Sequence, residues 1–140
     1  MRVLVALALA LTVPAALAWP GRPGAPPPKG APPPAWIETS AKSAWLAYGS
    51  YCWKTSCVDM IPPQTRPDLP VFSVKRGRLV RVHLAFTPAN ITVSLDSRTV
   101  KAKLDAAKRI LSWSATRGGI LNVFARAKGD ASYVAHLRVR

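Results

Sequence analysis

Acidic side chains are scarce in this chain: six carboxylates stand against twenty Lys and Arg, and only two His and two Cys accompany them. Paired-carboxylate hydrolysis needs two acids flanking one bond, and no spacing brings together any two of Glu38, Asp59, Asp68, Asp96, Asp105 and Asp130. Four of the six have Pro, Gly, Ser or Ala as a neighbour, in stretches where aspartate serves a turn through local hydrogen bonds. The Gly-x-Ser-x-Gly elbow, the His-Glu-x-x-His helix and the glycine-rich phosphate loop are missing. A serine triad would have to draw on His83 or His136, and nothing marks a serine as its nucleophile. These absences argue against an enzyme, and no cofactor is expected. Long amphipathic helices are missing as well. The best rival to an all-β reading is residues 100–111, VKAKLDAAKRIL, which fits a helix or a strand.

What is present begins with an export signal. Residues 1–18, MRVLVALALALTVPAALA, place Arg2 before an apolar run that ends on Ala16-Leu17-Ala18, the small-x-small pattern read by a signal peptidase. The run falls short of the roughly 20 apolar residues of a membrane span and carries Pro14. The mature chain is therefore expected to be secreted, periplasmic or envelope-associated, without a transmembrane helix. From Trp19 to Pro34 come eight prolines, three glycines and no large aliphatic residue. Such a segment buries too little apolar surface to offset its ordering entropy, so residues 19–35 read as a disordered, extended linker. Residues 36–140 then form one domain.

Within that domain, apolar and polar residues alternate with the period of half-buried strands. Val80, Val82, Leu84 and Phe86 share one face; Ile91, Val93 and Leu95 another; Val100, Ala102 and Leu104 a third. Leu111 and Trp113 follow, then Leu121, Val123 and Ala125, then Tyr133, Ala135, Leu137 and Val139. Turns are expected at Thr87–Asn90, Asp96–Arg98, Asp105–Ala107, Arg117–Gly119 and Gly129-Asp130, the last as a two-residue hairpin with glycine at a positive φ. With pieces at 45–53, 57–60 and 71–74, the count reaches seven or eight strands, the rhythm of an antiparallel sandwich.

Cys52 and Cys57 are separated by four residues and flanked by Tyr51, Trp53 and Val58, so a hairpin can bring them together, and an exported protein favours their oxidation. A redox couple would want Cys-x-x-Cys at a helix start. A copper site would recruit Met60, His83 and His136, but the two histidines stand alone on outward strand positions, so no metal is expected.

The stretches Gly49-Ser50-Tyr51-Cys52-Trp53, Cys57-Val58-Asp59, Val74-Lys75-Arg76-Gly77 and Gly129-Asp130-Ala131-Ser132-Tyr133 resemble small exported immunoglobulin-like β-sandwich domains of high-GC bacteria, over about residues 45–140. The resemblance implies a Cys pair in the first hairpin and a Gly-Asp turn before the last strand. It implies no catalytic residue.

Residues 71–140 carry fourteen Lys and Arg against three Asp. Strand alternation puts Arg81, Lys101, Lys103, Arg126, Arg138 and Arg140 on polar faces, where they would contact anionic cell-envelope polymers or lipid head groups. Export removes nucleic acid as a routine partner. The expected function is a non-enzymatic binding or envelope-associated module. Its rivals are an extracellular protease inhibitor, presenting the rigid loop Ile61–Pro67, and a periplasmic copper protein.

Overall fold

The computed structural model describes residues 19–25 and 32–140; the export signal expected over 1–18 lies outside the described residues. The domain is all-β. Twelve strands run in chain order as β1 Ala35–Glu38, β2 Ser43–Trp45, β3 Ala47–Trp53, β4 Ser56–Val58, β5 Val71–Val74, β6 Leu79–Leu84, β7 Asn90–Leu95, β8 Arg98–Thr99, β9 Lys103–Leu104, β10 Ile110–Ser114, β11 Gly119–Arg126 and β12 Asp130–Val139. They pack as a sandwich of a five-stranded sheet, β2-β1-β6-β10-β9, and a seven-stranded sheet, β4-β3-β12-β11-β7-β8, with β5 also on β12. All pairings are antiparallel except β5 with β12. Long β12 hosts two partners on one edge: β3 beside its first half and β5 beside its second.

Alternation builds the core. Ile37, Val80, Val82, Leu111 and Trp113 of the smaller sheet meet Val93, Leu95, Leu121, Val123, Tyr133 and Leu137 of the larger one, all buried. The chain switches sheets at Leu46, a buried residue whose N–H donates to the Ala35 carbonyl at 3.0 Å.

Residues 100–111 form neither a helix nor one long strand. Val100 N–H donates to the Val93 carbonyl at 2.8 Å, the chain then crosses to the other sheet, and only Lys103 and Leu104 pair with β10. Val100, Ala102 and Leu104 still pack on the core, so the face was legible where the strand was not. The last hairpin also differs from expectation. Arg126 pairs with Asp130, leaving the three-residue loop Ala127–Gly129, and Gly129 is not at a positive φ. Its glycine is required by proximity: a Cβ there would sit 2.3 Å from the Cys52 carbonyl oxygen. Asp130 is the first residue of β12 and bonds Arg126 at 2.8 Å.

The proline-rich segment is anchored at both described ends. Tyr48 and Tyr133, whose hydroxyls burial pushes above the ordinary tyrosine range, donate to the Pro32 and Pro33 carbonyls. Trp19–Arg22 lies against the outer face of the five-stranded sheet, because the two large side chains among its prolines and glycines find partners there: Trp19 stacks on Arg81 and Arg22 on Trp45. Composition alone had suggested a free spacer. Among the described residues no helix is long and apolar enough to cross a membrane.

Candidate functional site

Three connections meet at one end of the sandwich. Lys75–Arg78 carries the chain from β5 to β6, Ala115–Gly118 carries it from β10 to β11, and Asp96-Ser97 turns β7 into β8. Backbone bonds lace them to the end of β12: Arg76 N–H to the Arg140 carbonyl at 2.8 Å, Gly77 N–H to Ala115 at 2.7 Å, Ala115 N–H to Arg78 at 2.9 Å and Asp96 N–H to Ile120 at 3.0 Å. The Arg76 guanidinium donates to the Thr116 carbonyl. Because these segments are turns and strand ends, their cationic side chains reach solvent while Ala115 is buried. Lys75, Arg76, Arg78, Arg98 and Arg140 are exposed, Arg117 is half-buried, and Arg138 stands on the outer face of β12 close by.

Asp96 is the only carboxylate side chain at this end among the described residues, and it is committed to the backbone. Its Oδ1 accepts the Ile120 N–H at 2.8 Å. Gly119, at φ 144°, makes that possible, since a Cβ there would lie 2.4 Å from the carboxylate.

Beside this end a cleft of about 280 Å³ opens between the sheets, lined by Leu95, Thr99, Val100, Lys101, Trp113, Ser114, Thr116 and Arg117. Its lining combines the hydroxyls of Thr99, Ser114 and Thr116 with two cations, Lys101 and Arg117. That lining suits an anionic, hydroxyl-bearing group: charge attracts it and the hydroxyls orient it.

The six cations expected from strand alternation do not form one face. Lys101, Arg138 and Arg140 belong to the basic end. Lys103 lies on edge strand β9, where Ser112 lines up with it and with Arg81. Arg81 is engaged, with its guanidinium 3.8 Å from the Trp19 ring and 3.9 Å from Glu38. Arg126, at the opposite end of the molecule, is held above its ordinary pKa by its hydrogen bond to Asp130. Alternation missed Lys75, Arg76, Arg78, Arg98 and Arg117. Their signal was a cation placed in or next to a turn, on turns that successive antiparallel strands return to the same end.

The outer face of the five-stranded sheet holds a second polar cluster. Glu38 is 2% exposed although it points away from the core; His83 Nε2 donates to its Oε1 at 2.6 Å and Gly21 N–H to its Oε2 at 3.3 Å. Trp36 stacks on His83 with ring centroids 3.7 Å apart. His83 and His136 sit on different sheets, so the set considered for copper does not converge. In the loop considered for protease inhibition, Arg66 is turned inward, 4% exposed, and bound to Asp68 and the Tyr48 carbonyl.

Cys52 and Cys57 form a disulfide across the β3–β4 hairpin, where they are register partners. Trp113 is buried between the sheets, and Trp53 packs on Phe86 at 5.0 Å. Comparison with protein-family models, curated proteins and solved structures finds no match to this chain.

Proposed function

We propose that this is an exported, non-enzymatic adhesion module that holds anionic cell-envelope polymers at the basic end of an immunoglobulin-like sandwich. The immunoglobulin-like reading draws support from two packed sheets of short strands. The disulfide departs from that pattern by joining neighbours in one sheet rather than the two sheets. One observation carries the functional reading: the cations of Lys75–Arg78, Arg98, Lys101, Arg117, Arg138 and Arg140 gather at one end of the sandwich, beside a cleft that Lys101 and Arg117 line, with Asp96 as the sole carboxylate side chain among them in the described residues. Each cation close to an anionic surface contributes about 1 kcal/mol, so a few acting together give reversible attachment.

Attachment of this kind weakens with salt, because the Debye length shrinks from about 30 Å at 0.01 M to about 3 Å at 1 M. Co-sedimentation of the mature chain with cell envelopes over that salt range tests it. Binding that declines steadily as salt rises is expected. Binding that is absent at low salt, or unchanged at high salt, contradicts the proposal.

A further inference from the structure

We infer that the outer face of the five-stranded sheet is a peptide-recognition site, held closed in cis by the chain's own Trp19–Arg22, and that its ligand class is a peptide with an aromatic residue three positions before a cation and a glycine between them. This surface is separate from the basic end, so the inference stands or falls independently of the adhesion reading.

The contacts are reciprocal. The strap's aromatic Trp19 lies over the sheet's cation Arg81 at 3.8 Å, and the strap's cation Arg22 lies over the sheet's aromatic Trp45 at 5.2 Å. Between them the strap's backbone is read directly, because Gly21 N–H donates to Glu38 Oε2 at 3.3 Å. A carboxylate that is 2% exposed on the outer side of a sheet needs donors, and two of its three partners, His83 and Arg81, are fixed by strand pairing. The third comes from the strap. Glu38 faces Arg81 across β1 and β6, while Trp36 faces both His83 and Trp45. Anion, cation and aromatic surface are thus set at fixed spacings by the sheet itself. Between Trp19 and Arg22 the strap bends, with Gly21 at φ 78°, a conformation that suits glycine, and the bend brings both side chains onto the sheet.

Pro23–Pro34 tethers the strap to β1, and a short tether presents it at an effective concentration on the order of millimolar. A peptide added in trans must compete with it. The test uses the mature chain, the same chain carrying Trp19→Ala and Arg22→Ala, and the synthetic peptide Trp-Pro-Gly-Arg-Pro-Gly with an amidated C-terminus. Binding is read from the NMR signals of Trp36 and His83. The substituted chain should bind the peptide about tenfold more tightly than the unsubstituted chain, whose own strap blocks the site. Adding Arg81→Ala to the substituted chain should weaken that binding. Independently, diethyl pyrocarbonate should modify His83 faster in the substituted chain, with His136 as the internal reference. Equal peptide affinity in the two chains, no binding to either, or an unchanged rate at His83 would overturn the inference.

Discussion

Removing the Glu38 carboxylate leaves the His83 and Gly21 N–H groups without their acceptor in a place that water reaches poorly. Glu38→Ala should therefore lower unfolding free energy by about 1–3 kcal/mol, the range for an orphaned buried polar group, in a urea titration. A loss below a few tenths would mean that water replaces the carboxylate freely. Tyr133 makes a comparable statement about the linker. Its hydroxyl, pushed up mainly by burial, donates to the Pro33 carbonyl, and Tyr133→Phe should cost about 0.5–1.5 kcal/mol. A phenol whose folded pKa is raised contributes fully below the ordinary value of about 10 and loses that contribution as pH climbs through the raised one. The difference in stability between Tyr133→Phe and the unsubstituted chain should thus stay constant through neutral pH and narrow only in strong alkali. Neither role was legible in the sequence. Glu38 precedes a Thr-Ser pair and resembles a surface residue, and only pairing with β6 sets it beside Arg81 and His83.

At the scale of elements, the β3–β4 hairpin and the β9–β10 turn carry the clearest expectations. The Cys52–Cys57 ring is small, so in the chain-entropy model it contributes about 2–3 kcal/mol. Cys52→Ala with Cys57→Ala should lower stability by that order and leave the sandwich folded, since the core lies elsewhere. Collapse of the far-UV circular dichroism would contradict this. In the β9–β10 turn Asp105 Oδ1 accepts the Arg109 and Ile110 N–H groups, each at 2.8 Å, and the Ile110 bond leads in holding its carboxyl below the ordinary range. A lowered carboxylate pKa means that the turn's support is present above the unfolded value of about 3.9 and disappears as pH falls through the lowered one. Amide exchange at Arg109 and Ile110, corrected for its intrinsic pH dependence, should accelerate in that acid window, and Asp105→Ala should show fast exchange already at neutral pH. Elements with a clean two-residue period, such as β6, β7, β10 and β12, were readable because one face of each is core. Val100–Leu104 misled because half-buried residues alternate there while the chain is crossing between sheets. Pairing partners, above all β5 lying parallel to β12, depend on contacts between distant residues and leave no local period.

For the whole molecule, the decisive property is where its charge falls. Alternation along a strand tells which face a residue takes, but not which end of the sandwich its turn reaches. The expected basic face is instead a basic end, assembled from turns far apart in the chain, while Arg81 and Arg126 are engaged by Trp19 and Asp130. The opposite end provides an internal control, because Lys54, Lys108 and Lys128 are exposed on its turns. Two variants with equal change in net charge then separate position from composition: Arg76→Glu, Arg78→Glu and Arg117→Glu together, against Lys54→Glu, Lys108→Glu and Lys128→Glu together. Their affinities for a poly(glycerol phosphate) polymer at low salt, measured by calorimetry, test the central claim most directly. With about 1 kcal/mol per cation, the first variant should bind about a hundredfold or more weakly than the unsubstituted chain, and the second should lose far less. Equal losses in the two variants would show that overall charge alone governs attachment and would contradict a binding site at the basic end.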